Sequence, residues 1–275
     1  DVKHSGENSR THRRHERSRQ VSERLVKGVG LLMRKNKVDV IEGRGKLTSA
    51  TSVEVALNDG GTRTVESDNI IIATGGHART IPGIDPDGKR IMTYRSAIVL
   101  DKLPESVIVV GAGPIGMEFA QVWSAYGTQV TVVEMLPRPV PLEDEEVSQV
   151  VERAFRRRRG VSLMTSTRVQ GIEVVDDGVR VTVADDDDEE HVLEAERALI
   201  AIGVQARTKD IGLEAVGVET ERGIIVVDES MRTNISGVFA IGDVTGKMAL
   251  AHVASAQGII AVETLAGEDP RPLDY

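Results

Sequence analysis

Four runs of four apolar residues recur along this chain, and each is released into glycine: Ile70-Ile-Ile-Ala73 before Thr74-Gly75-Gly76, Val107-Ile-Val-Val110 before Gly111, Leu199 to Ile202 before Gly203, and Val238-Phe-Ala-Ile241 before Gly242-Asp243. Short continuous apolar runs with such boundaries predict strands buried on both faces, the environment of a parallel sheet. Between the second and third runs the period changes. Met117-Glu-Phe-Ala-Gln-Val-Trp123 predicts a helix, Gln129-Val-Thr-Val-Val133 a strand, and Val161–Met164 a further strand. Glu143-Asp-Glu-Glu146 opens another helix, which closes in Arg156-Arg-Arg-Arg159 and Gly160. Acids at its start and bases at its end complement the helix dipole, so the arginine run reads as capping and solvation.

The flanking segments alternate differently. Val21, Leu25, Val26, Val29 and Leu32 recur at helical spacing. Val38–Ile41, Val53–Leu57 and Thr62–Val65 read as short strands, the last two joined through the hairpin signal Asn58-Asp-Gly-Gly61. Ser96–Leu100 predicts a short helix. Residues 172–183 and 191–202 read as strands around the acidic run Asp185–Glu190, a solvated hairpin tip. Residues 1–19 are polar and predict a disordered arm, and His4, His12 and His15 lack the spacing of metal ligands. No metal site is expected.

One segment carries specific chemistry. Strand, Gly111-Ala-Gly-Pro-Ile-Gly116, helix, strand and Glu134 follow one another in the order of a dinucleotide-binding βαβ unit. Gly111 permits the tight turn, Gly113 lets the backbone approach a pyrophosphate, and Gly116 lets helix and strand pack closely. The helix N-terminus offers unpaired N–H groups to phosphate. Glu134 stands where a carboxylate accepts the adenosine ribose hydroxyls. A 2′-phosphate about 4 Å away would be repelled by roughly 4 kcal/mol at an effective dielectric near 20, so NAD is favoured over NADP. Asp243, at the end of a buried strand, needs a partner such as a ligand hydroxyl, or serves as a helix N-cap.

Composition narrows the class. The sequence has 275 residues, 40% hydrophobic and only 3% aromatic, enough for one large or two ordinary domains with aliphatic cores. A net charge of −9 disfavours nucleic-acid binding. No apolar stretch reaches membrane-spanning length and no signal peptide is visible, so the expected place is the cytoplasm, or the mitochondrial matrix in a eukaryote. There is no cysteine, which removes disulfides, thiolate metal sites and thiol catalysis by these residues.

Taken together, Ala73-Thr74-Gly75, Gly111–Gly116 with Glu118, Ala201-Ile-Gly203, and Ala240-Ile-Gly-Asp243 followed by Leu250-Ala-His252 resemble the pyridine nucleotide-disulfide oxidoreductases, flavoproteins that bind two dinucleotides. Arg24–Met33, Gly212–Val218 and Val226–Asn234 most resemble the dihydrolipoyl dehydrogenase branch. The resemblance runs from about residue 18 to the end. It implies an α/β fold in which a Rossmann-like NAD domain, 106–228, is inserted between two parts of an FAD domain, 20–105 and 229–275.

It also implies site residues. Gly45, Thr74, Gly75, Gly76, Asp243, Ala249, Leu250, Ala251 and His252 would contact FAD. Gly111, Ala112, Gly113, Pro114, Ile115, Gly116, Met117, Glu134, Val169 and Gly203 would contact NAD. Glu118 would be catalytic, where flavin meets nicotinamide. Pro114 departs from the usual apolar or aromatic residue, and Ala206-Arg207 replaces a usual Pro-Asn. The family's first glycine fingerprint, its redox cysteine pair and its C-terminal dimerisation domain are not in this sequence, so the chain is expected to be a fragment. The implied chemistry runs from dihydrolipoamide, on a 2-oxoacid dehydrogenase or glycine cleavage complex, through FAD to NAD in a homodimeric enzyme. Mercuric or glutathione-type reductases, soluble transhydrogenases and a non-catalytic NAD-binding module are the alternatives.

Overall fold

The computed structural model describes residues 2–158 and 160–275. Contacts divide the chain into two compact units. One combines Ala78–Gly203 with the chain up to Val29; the other combines Gly30–His77 with Val204–Tyr275.

The first unit is built on a five-stranded sheet in the order Ile91–Met92, Arg197–Ile200, Ser106–Val110, Gln129–Val133, Val161–Met164. Every pairing in it is parallel. The chain winds outward from Ser106–Val110 to Val161–Met164, then returns to the other side with Arg197–Ile200. The winding therefore reverses at Ser106–Val110, the kind of switch point where open α/β sheets bind ligands. Alternate residues of the central strands face opposite ways. Val107, Val109, Val130 and Val132 pack with Met117, Ala120 and Trp123 of the helix Pro114–Ala125 and with Phe155 of Glu145–Arg156. Ile108, Val110, Val133 and Ile200 pack with Val179, Val181 and Val183 of an antiparallel sheet. Both faces are covered, which is why these strands read as continuous apolar runs. Each fully buried Val or Ile contributes roughly 1.5–3 kcal/mol.

The second unit holds an antiparallel sheet of Gly43–Ser49, Ser52–Leu57 and Thr62–Glu66, and a parallel pair, Ile70–Ile72 with Val238–Ala240. Its core gathers Ile72, Phe239, Val244 and Leu213 with Ile260 and Ala261 of the helix Ala251–Leu265.

The structure departs from the sequence reading at several points. Residues 2–19, expected as a disordered arm, belong to one helix, Val2–Lys35. Arg, Lys and Glu are good helix formers, and no proline interrupts them. The apolar positions Leu25, Val26, Val29 and Leu32 of that helix are exposed. Val38–Ile41 is irregular; the first strand of the sheet begins at Gly43, where a partner is available. The run 172–183 folds back on itself at Asp176-Asp177, giving the hairpin Arg168–Val175 with Gly178–Ala184. The short helix is Tyr94–Ala97.

The breaks between units fall at 77/78 and 203/204, whereas the sequence reading placed domain limits at 105/106 and 228/229. Ile91–Met92 hydrogen-bonds to Arg197–Ile200, which draws the segment before Ser106 into the parallel sheet. Leu213, Val218, Ile225 and Val227 pack with Phe239, which draws 204–228 the other way.

One loop of the first unit carries a pH-sensitive anchor. Asp87 Oδ1 accepts the N–H groups of Lys89, Arg90 and Ile91 at 2.7, 2.8 and 2.9 Å. Burial pushes its pKa up, but these backbone bonds outweigh it and hold the carboxyl below its ordinary value. A depressed folded pKa means stability present above the ordinary carboxylate value and lost as pH falls through the folded one. Asp87→Asn is therefore expected to be less stable than wild type near neutrality, the two curves converging as the pH falls below the ordinary carboxylate range. Thermal melts across that range check this; parallel curves would reject the anchor.

Candidate functional site

Gly111 leaves the central strand with φ +105, and a Cβ there would stand 2.5 Å from the Ala201 carbonyl oxygen on the neighbouring strand's exit. A Cβ on Gly116 would overlap the Gly111 carbonyl. These two glycines bring helix, turn and adjacent strand into contact. Gly113 differs: it caps the helix in an extended conformation, and a Cβ there would meet nothing within 4 Å. Pro114 follows at the first helical position, where its missing N–H is harmless.

The main-chain donors of this loop divide sharply. Ala112 N–H is taken by Glu134 Oε2 at 2.6 Å. Met117 N–H bonds to Gly113 O at 3.0 Å, and its side chain is buried in the core under the helix. Among the described residues, nothing accepts the N–H groups of Gly113, Ile115 and Gly116. The first helical turn carries no acidic residue to neutralise its partial positive charge. Three convergent open amides at such a terminus suit a pyrophosphate.

Glu134 is 8% exposed. Its second oxygen accepts Leu136 N–H at 2.9 Å. A carboxylate has about four lone-pair sites, so it still has capacity for a diol. The sequence reading assigned this residue to the ligand; the structure adds that it braces the glycine loop.

A second brace was not legible in the sequence. Val140 N–H bonds to the Ala112 carbonyl at 2.8 Å, and the Ser148 hydroxyl donates to Val140 O at 3.2 Å. Val140 takes φ +42, a conformation that a β-branched residue avoids. The loop 137–141 is thus strapped to the glycine turn. Glu118 is exposed on the helix, with no described hydrogen bond or ion pair. Val169 pairs with Val183 and packs on the antiparallel sheet's core. Gly203 accepts Arg79 N–H at 3.0 Å.

In the second unit, the exits of the parallel pair lie together. Thr74 Oγ1 donates to Arg207 O at 2.7 Å, Arg207 N–H to Gly75 O at 2.9 Å, and Arg207 Nε to Gly76 O at 3.1 Å. The arginine that replaces the usual residue is therefore part of the turn. A Cβ on Gly76 would lie 3.3 Å from Asp243 Oδ2, so that carboxylate stands directly beside the glycine. Asp243 is half-buried, and no described group donates to its side chain. It therefore offers a free acceptor to a hydroxylated ligand. Ala249, Leu250, Ala251 and His252 are exposed at the start of the helix Ala251–Leu265, which has no side-chain cap. Gly45 pairs with Val55 in the antiparallel sheet and is exposed.

At the acidic hairpin tip, Asp185, Glu189 and His191 place their ligand atoms within 4.8 Å of one another. Asp185 is already engaged by the N–H groups of Glu189 and Asp187, and by His191. The backbone bond from Glu189 leads the causes that lower its pKa.

The sequence profile described as pyridine nucleotide-disulphide oxidoreductase matches residues 2–258. A dihydrolipoyl dehydrogenase from Chlorobaculum tepidum is 43% identical over 257 residues, covering 94% of this chain and 55% of the relative. One from Mycobacterium tuberculosis is 46% identical over 256 residues, covering 93% and 54%. The crystal structure of LpdA from Mycobacterium tuberculosis superposes with a TM-score of 0.88 at 35% identity, covering 96% of this chain and 58% of that one. The Cu(II) complex of a mutant of RclA, an HOCl-induced flavoprotein disulfide reductase from Escherichia coli, gives a TM-score of 0.83 at 27% identity, covering 94% and 58%. The chain spans about half the length of the curated relatives it matches.

Proposed function

The chain belongs to the pyridine nucleotide-disulphide oxidoreductase family, and on that premise we propose that it is the NAD-binding part and some of the FAD-binding part of a dihydrolipoyl dehydrogenase. The family implies FAD and NAD, which supply the redox chemistry by passing a hydride between flavin and nicotinamide; the protein supplies binding, orientation and electrostatics. The full reaction carries electrons from dihydrolipoamide on a 2-oxoacid dehydrogenase or glycine cleavage complex to NAD⁺, in a homodimer. Its place is the cytoplasm, serving cell redox homeostasis. Among the described residues, no helix is long and apolar enough to cross a membrane.

The observation that carries this reading is the set of three open amides, Gly113, Ile115 and Gly116, beside a buried Glu134. In the proposal they hold the pyrophosphate and the adenosine ribose of NAD, with Val169 and Gly203 lining the same site. Asp243 accepts a hydroxyl of the flavin's ribityl chain beside Thr74, Gly75 and Gly76. The open helix start at Ala249–His252 faces the flavin ring, and Gly45 completes the flavin contacts. Glu118 is the carboxylate at the hydride-transfer step. The proposed cofactor portions are 106–228 for NAD and 20–105 with 229–275 for FAD.

The sequence contains no cysteine, so these residues supply no thiolate for the dithiol half of the reaction. The expected result is saturable NADH binding by the purified chain, read from nicotinamide fluorescence, with no lipoamide turnover. A flat titration would reject the NAD site. Measurable turnover would reject the division of labour.

A further inference from the structure

Gln257 is 0% exposed in the helix Ala251–Leu265. A fully buried glutamine is uncommon and costly unless each polar end is satisfied. Here both ends are. Its Oε1 accepts the Gly242 N–H at 2.6 Å, and its Nε2 donates to the Tyr275 hydroxyl at 2.7 Å. The assignment of the two ends is forced: an N–H can face only the oxygen end of the amide, which leaves the NH₂ end for tyrosine.

Gly242 is the residue immediately before Asp243. It is buried, with φ +74, and as a glycine it leaves the backbone there freer than another residue would. Several other main-chain groups there are also held. Ile241 N–H bonds to Ile72 O at 3.0 Å, the Thr245 hydroxyl donates to Gly242 O at 2.8 Å, and Gly246 N–H bonds to Asp243 O at 3.1 Å. Asp243's own side chain is the exception, with no described partner. Tyr275 is half-exposed and holds the Lys247 ammonium 5.8 Å from its ring centroid, while Leu273 packs against the core.

We propose that Gln257, oriented by Tyr275, is a positioning residue that aims the free carboxylate of Asp243 at its polyol ligand. The inference rests on the reading of Asp243 as a flavin-binding residue. Gln257 touches no ligand. It removes the freedom of the glycine from which the carboxylate hangs, so the aim is set before a ligand arrives.

The test uses the whole chain, FAD as probe, and the variants Gln257→Leu, Gln257→Glu, Tyr275→Phe and Asp243→Ala. Amide hydrogen exchange at Gly242 reads the clamp, and flavin fluorescence reads binding. Gln257→Leu is expected to speed Gly242 exchange and weaken flavin binding, each by about tenfold. Gln257→Glu keeps an acceptor for Gly242 and takes the tyrosine O–H as a donor, so both readouts are expected to return near wild type. Tyr275→Phe is expected to speed Gly242 exchange by a smaller factor, and it reports on the clamp even if Gln257→Leu fails to fold. Unchanged Gly242 exchange in Gln257→Leu and Tyr275→Phe would overturn the proposal. So would a Gln257→Glu variant as impaired as Gln257→Leu, since packing alone would then explain the effect. If Asp243→Ala leaves flavin binding untouched while Gln257→Leu still releases Gly242, the flavin reading of Asp243 fails and the clamp stands.

Discussion

Gly113→Ala is expected to abolish NADH binding while leaving the fold and its melting temperature essentially as they are. The two halves of this expectation have separate causes. Gly113 is extended rather than left-handed, and a Cβ built on it meets no protein atom within 4 Å, so folding has nothing to lose. That open space is where a pyrophosphate must come to reach the N–H groups of Gly113, Ile115 and Gly116. A methyl group there holds the phosphates off the amides. Losing two or three hydrogen bonds to a charged ligand, each about 1.5–3 kcal/mol, takes the affinity down by two orders of magnitude or more.

Gly116→Ala makes the contrast. Its Cβ would overlap the Gly111 carbonyl, so the helix must move off the strand. Overpacking of that kind costs about 1–3 kcal/mol, and the loss should appear in the melting temperature first. Thermal melts and NADH titrations on both variants check the pair. If Gly113→Ala binds NADH as wild type does, the phosphates do not sit on this turn.

Glu134→Ala is expected to do two things at once. The buried carboxylate accepts Ala112 N–H at 2.6 Å and Leu136 N–H at 2.9 Å, and both donors are orphaned when it goes. Orphaning the buried Ala112 donor costs about 1–3 kcal/mol and the exposed Leu136 donor less, so the variant should melt a few degrees lower. It should also bind NADH at least tenfold more weakly, because the turn that presents the amides loses its brace. The charge has a separate readout. Removing it lifts the repulsion against a 2′-phosphate, so the ratio of NADH to NADPH affinity should fall even as both affinities drop. Glu134→Gln separates the two roles: it keeps one acceptor for the loop but loses the charge, so it should fold better than Glu134→Ala and discriminate as poorly. An unchanged NADH to NADPH ratio in both variants would make Glu134 a brace only.

The expectations that held share a property: they rest on residues close together in the chain. The strand, Gly111-Ala-Gly, Pro114, helix and Glu134 order occupies under 30 residues, and each step follows from local rules about turns, helix starts and apolar runs. The same is true of Ser52–Leu57, Thr62–Glu66 and the turn between them. Where local pattern alone was ambiguous, the reading slipped. Residues 2–19 have no apolar face to bury, yet they continue the helix behind them. The 172–183 run reads as one strand only when the turn signal Asp176-Asp177-Gly178, which breaks its alternation, is passed over.

By itself, then, the sequence determined the type of the buried parallel strands, the glycine turn that leads from strand to helix, and the acidic residue that ends the next strand. Those are short-range consequences of sterics and hydrophobic period, and no distant partner is needed to state them. Tertiary structure alone decided which distant groups close on those turns. Arg197–Ile200 inserts beside Ser106–Val110 and puts Ala201 against Gly111. Val140 straps Ala112, Arg207 ties Gly75 and Gly76, and Gln257 with Tyr275 holds Gly242. A hydrogen bond depends on where two groups meet after the chain has packed, and neither the identity of a residue nor its local period carries that information.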